Sequence, residues 1–100
     1  MTTNQISAVF RLTAQWKPAA AAAYEATAIE VEAGTEKLSD ATRTAFRDNG
    51  CLPPRSLTSE SRILSELREA VYNASSSANL TANQNAVDAA LLELGITTAA

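Results

Sequence analysis

Apolar and polar positions near the start of the chain fit two competing periods. Ile6, Val9, Phe10 and Trp16 fall on one side of a helix, with Ser7, Arg11 and Gln15 lining the other. The same stretch also alternates, with Ile6, Ala8, Phe10, Leu12, Ala14 and Trp16 set against Ser7, Arg11, Thr13, Gln15 and Lys17. Val9, Phe10 and Thr13 are all at home in a strand. Thr3 and Asn4 are good helix caps and favour the helical reading. A strand over residues 6–16, giving an α+β fold, is the alternative.

The next boundary is set by Pro18. Its ring disfavours helical geometry at Lys17, yet proline is welcome at the first position of a new helix. Ala19 to Ala23 then follow as the strongest helix formers available. Tyr24, Ala28, Val31, Leu38, Thr42 and Ala45 continue at spacings of three and four residues, with Thr35 the polar member and Phe46 flanking the stripe. Gly34 leaves two possibilities open. A helix running through it loses roughly 1 kcal/mol relative to alanine; otherwise the helix ends at Ala33 and Thr35 starts another. The segment closes at Asn49-Gly50, natural left-handed terminators.

Residues 50–57 contain Pro53 and Pro54 and form a stiff, non-helical connection. Beyond it Thr58 or Ser59 caps the best amphipathic helix of the chain. Ile63, Leu64, Leu67, Ala70, Val71 and Ala74 form its apolar stripe, and Glu60, Arg62, Glu66 and Glu69 its polar side. The run Ser75 to Asn79 breaks it. A last helix begins at Leu80-Thr81, where Thr81 and Gln84 have capping-box spacing. Its buried stripe is Val87, Ala90, Leu91 and Leu94, and Gly95 with Ile96 suits a Schellman ending. Residues 97–100 read as a loose tail. The pattern therefore predicts an all-α bundle of three to five helices in a single domain spanning residues 1–100.

At 100 residues, with much of the apolar content in alanine, the core is modest. Its large members are expected to include Phe10, Trp16, Tyr24, Ile29, Phe46, Ile63, Leu67, Val87 and Leu91. Such a chain must pack closely or lean on a partner. The net charge is −3 and the basic residues are scattered, so nucleic acid is not the expected partner. No apolar run approaches the roughly 20 residues that span a bilayer. The start of the chain lacks the basic and apolar segments of a signal peptide. One cysteine builds no disulfide framework, which suits a reducing compartment. The expected location is the cytoplasm, or a virion assembled there. The sequons at Asn73 and Asn79 then read as accidental, since glycosylation needs a secretory route.

Chemistry is sparse. The sequence has no histidine, which removes the commonest general base and nitrogen ligand. A zinc site of four cysteines and histidines cannot be assembled from one cysteine. Glu32, Glu36 and Asp40 would share a face only if the helix runs through Gly34, and they read as a solvated surface relieved by Lys37 and Arg43. Cys51 reads as a small, buried, apolar side chain rather than a reactive thiol. Asp48 and Asn49 lack the further ligands of a calcium loop. No enzyme activity, cofactor, metal or small-molecule substrate is inferred.

What remains is surface. The alanine run covers more than one helical turn, so at least one member must face inward or toward a partner. Small side chains also let a second helix approach closely. Ala19, Ala20, Ala21, Ala22 and Ala23, with Leu92 lying off its own helix stripe, are the candidate interface. The expected function is a non-enzymatic interaction or assembly subunit, acting through self-association or a protein partner. Small size and richness in Ala, Thr, Ser and Asn suit a component of a larger oligomer or viral particle. A small acidic regulator or inhibitor of another protein is the alternative.

Overall fold

Residues 6–16 are helical, and the strand alternative is discarded. The computed structural model describes residues 1–97, so the expected tail lies outside the described residues apart from Thr97. Helix α1 runs Thr3–Trp16, a single 3-10 turn spans Pro18–Ala20, and α2 covers Ala21–Glu32. Helices α3 (Asp40–Asp48), α4 (Glu60–Ala74) and α5 (Leu80–Glu93) complete the bundle, and no strand occurs among the described residues.

Local signals explain most helix ends. Thr2, one residue before the expected caps, starts α1: its hydroxyl accepts from the Gln5 amide at 3.1 Å while Gln5 Oε1 accepts from the Thr2 amide at 2.7 Å. This reciprocal box satisfies two otherwise orphaned donors, which Thr3 or Asn4 cannot do without a glutamine or glutamate three residues on. Pro18 leads the turn into α2, as expected. Ser59 caps α4 by accepting from the Arg62 amide. Glycine ends three helices in the left-handed region, at Gly34, Gly50 and Gly95. At Gly34 the amide donates to Val31 O at 3.0 Å and the Thr35 amide donates to Glu30 O at 3.0 Å, completing a Schellman motif. The helix therefore stops there, and Glu32, Glu36 and Asp40 share no helix face.

Two expected starts are corrected. Thr35 opens no helix; Ser39 caps α3 instead, accepting from the Thr42 amide at 3.3 Å. Thr81 and Gln84 form no capping box, because α5 begins two residues too early for it. The Leu80 amide already donates to Ser76 O at 3.0 Å, leaving Thr81 inside the first turn.

Helices α1 and α2 form an antiparallel hairpin, since Ser7 lies beside Glu32 while Arg11 reaches Glu25. The second large face of α1 packs on α4. Burial on two sides is why Ser7, expected to face out with Arg11 and Gln15, is inside. Its hydroxyl donates back to Asn4 O at 3.0 Å, so no polar group is stranded. Thr13 and Thr27 do the same toward Val9 O and Ala23 O. Phe46, expected at the flank of its stripe, is wholly buried, with its ring edge-on to Tyr24 at 4.9 Å. Ala74, expected on the buried stripe of α4, is exposed, because that helix ends beside it. Helix α5 returns antiparallel along α4 through Val87 and Leu91. Arg68 meets Asp88 at 3.1 Å, and Gln5 Nε2 donates to Leu94 O at 3.0 Å, joining the end of α5 to the start of α1.

Candidate functional site

The alanine run is divided between two faces of α2 and the turn before it. Ala20 and Ala23 are 0% and 1% exposed and belong to the core. With Thr27 and Ala28 they form the small-residue side that α2 turns into the bundle. Ala19 and Ala22 are exposed, and Ala21 is half-buried at the edge. Only part of the candidate interface is thus available to a partner.

The exposed row extends well past the alanine run. Ala19, Ala22, Ala26, Ile29 and Ala33 follow at alternating steps of three and four, the spacing of a coiled-coil seam. Ala19, Ala22 and Ala33 are exposed, Ala26 is half-buried, and Ile29 is 55% exposed at the middle of the row. Ile29 was expected in the core and is not there. Its position follows from the Tyr24, Ala28 and Val31 stripe: one residue past Ala28 turns the side chain about 100° away from that stripe. The 3.5-residue period running from Ala19 to Ala33 is the signal that marks it. It is masked by the inward row, which has nearly the same composition.

Acidic side chains border this row, and the protein's own groups engage them. Arg11 of α1 bridges to Glu25 and Glu32, with its Nε 3.0 Å from Glu25 Oε2 and its Nη2 3.0 Å from Glu32 Oε1. Hydrogen bonds from Arg11 hold the Glu32 carboxyl below its ordinary value, and those carboxylates raise the guanidinium in turn. On the other border Glu30 accepts from Thr42 Oγ1 and from the Ser39 amide at 2.8 Å, which lowers its carboxyl as well. Glu30 thus pins the start of α3 to the end of α2. Lys37 and Arg43, expected to relieve the acidic residues, form no ion pair with a described residue.

The other candidates are dispersed. Leu92 is 70% exposed on α5, which packs chiefly on α4 rather than on α2. Cys51 is half-buried after α3, and its thiol donates to Asn49 O at 3.6 Å. Among the described residues no group of three acidic or cysteine side chains gathers to hold a metal ion. No described helix is long and apolar enough to cross a membrane. The chain matches no family model, no curated protein and no solved structure with which it was compared.

Proposed function

We propose that the protein is a non-enzymatic assembly subunit that pairs with a second copy of itself along the outer face of α2. The carrying observation is the exposed, heptad-spaced row Ala19, Ala22, Ala26, Ile29 and Ala33. One branched residue among alanines suits a two-fold, antiparallel pairing, in which the same patch serves on both subunits. Centred between Glu25 and Ala26, such a pairing sets each Ile29 over the other subunit's Ala22, a large side chain into a small-walled hollow. Glu25 comes nearest the axis, and its ion pair with Arg11 of its own chain offsets the repulsion between the two copies.

Helix α2 has 12 residues, so the seam is only about 18 Å long. An interface this short falls below the roughly 800 Å² per partner of a standard stable complex. Pairing is therefore concentration-dependent, and a larger oligomer or particle needs a second contact. Leu92 on α5 supplies an exposed apolar residue for one. The test is light scattering after size exclusion over a wide concentration series. The wild-type mass should climb toward that of a dimer, while Ile29→Glu stays monomeric with an unchanged melt. A wild-type chain that stays monomeric throughout, or a variant that pairs equally well, would overturn the reading.

A further inference from the structure

A second feature lies on another side of the molecule. A groove of about 580 Å³ opens between the loop after α3 and the N-terminal half of α4, within the usual range for ligand sites. Tyr24 leaves α2 on its inward side and forms part of the groove wall. The residue is 2% exposed, with its ring packed between Phe10 and Phe46, yet its hydroxyl makes no hydrogen bond with a described residue. The hydroxyl end of this buried ring reaches the groove, where it is free to donate to a bound acceptor. Burial, reinforced by the nearby carboxylates of Glu66 and Glu69, pushes the phenol up to about 12, so at neutral pH it keeps its proton to donate.

The α4 wall is polarised along its length. Arg62, Glu66 and Glu69 stand at i, i+4 and i+7 on one helix face and all line the groove. The cation is at the N-terminal end, where the helix dipole also favours an anion. About 10 Å further along the axis the wall is acidic. The Arg62 and Glu69 side chains have no charged or hydrogen-bonding partner among the described residues, whereas Glu66 accepts from the Arg55 amide at 3.1 Å. Lys17 and Arg55 add positive charge, and Leu52, 79% exposed, offers an apolar surface at the lip.

We infer that this groove binds a short extended peptide carrying an acidic side chain and, three residues on, a basic one, with an apolar residue between them. An extended chain rises about 3.3 Å per residue, so three residues match the spacing from Arg62 to Glu69. The acid pairs with Arg62, the base with Glu69, the apolar residue rests on Leu52, and a peptide carbonyl accepts from the Tyr24 hydroxyl. None of these groups belongs to the outer face of α2, so this inference and the pairing of subunits stand or fall separately.

The test is an amide nuclear magnetic resonance titration of the full chain with acetyl-Asp-Leu-Ala-Lys-amide. Saturable shifts should appear at Leu52, at Arg55 and along residues 61–69, and not along α2's outer face. Arg62→Gln and Glu69→Gln, both at exposed positions, should each weaken binding roughly two- to fivefold. Tyr24→Phe, which keeps the ring, should weaken it roughly two- to tenfold. The like-charged acetyl-Asp-Leu-Ala-Asp-amide and acetyl-Lys-Leu-Ala-Lys-amide should bind more weakly than the mixed peptide. Equal binding of either one would overturn the bipolar site. So would non-saturable shifts with the mixed peptide, or affinities that the three substitutions leave unchanged.

Discussion

Placing a glutamate at Ala23 and at Ala22, one residue apart, should give opposite outcomes. Ala23 lies on the buried side of α2, 1% exposed and part of the hydrophobic core cluster. A carboxylate forced there stays uncompensated, and the effective cost of burying such an ion is several kcal/mol. Domains of this size hold only about 5–15 kcal/mol in total. At Ala22 the glutamate points to water, where exchanging alanine for glutamate costs a few tenths of a kcal/mol in helix propensity. A negative charge in the first turn of a helix offsets that by about 0.3–1 kcal/mol. Ala23→Leu separates size from charge, since overpacking alone costs about 1–3 kcal/mol. The assay is urea unfolding followed by circular dichroism on dilute protein. With a urea slope of about 1–3 kcal/mol per molar, a 3 kcal/mol loss moves the midpoint by about 1–3 M. Ala22→Glu should stay near wild type, Ala23→Leu should fall between, and Ala23→Glu should fall furthest. If Ala22→Glu and Ala23→Glu unfolded together, the division of the alanine run into a core face and an exposed face would be refuted.

Leu67, wholly buried in α4, should cost about 2–5 kcal/mol when cut to alanine, and an unmoved urea midpoint would show that α4 is not the wall of the core. Glu30 and Glu32 have folded values held below the ordinary 4.5. Their stabilisation is therefore present above about 4.5 and lost as pH falls through the lower folded values, so acid should lower the urea midpoint. Thr42→Val should make that acid loss smaller, and an identical loss in the variant would detach Glu30 from it. Gly34→Ala has open space around the added methyl, so its cost is backbone strain alone, about 1–2 kcal/mol. Gly34→Asn should cost less, since asparagine tolerates the left-handed region better, and a reversal of that order in thermal melts would contradict the Schellman assignment.

Features governed by a few adjacent residues were legible in the sequence. Pro18, Asn49-Gly50 and Gly95 end or begin helices because proline and glycine restrict or free the backbone wherever they stand. The helical reading of residues 6–16 was legible too, although it needed Gln5 three residues after Thr2 to place the cap. Positions decided by packing were not. Ser7 is inside because α1 is covered by both α2 and α4, and a two-sided helix blurs the single-stripe pattern. Ile29 is outside because the inward row of α2 is made of alanine and threonine as well as Tyr24 and Val31. Composition alone does not distinguish that row from the outward one. Tyr24 reads correctly as core by its ring, while its hydroxyl belongs to a groove. A linear pattern assigns one environment per residue and misses side chains whose two ends differ.

The most direct measurement of the assembly role is site-specific disulfide trapping across the outer face of α2. In a Cys51→Ser background, chains carrying Ala22→Cys are mixed with chains carrying Ile29→Cys and oxidised mildly. One contact of the pair then holds the two thiols, and the symmetry-related contact keeps its native Ala22 and Ile29. The account predicts a mixed disulfide dimer that forms faster than either variant dimerises alone, and faster than chains carrying Gln15→Cys, an exposed position on α1. Trapping no faster than that control would contradict pairing through this face.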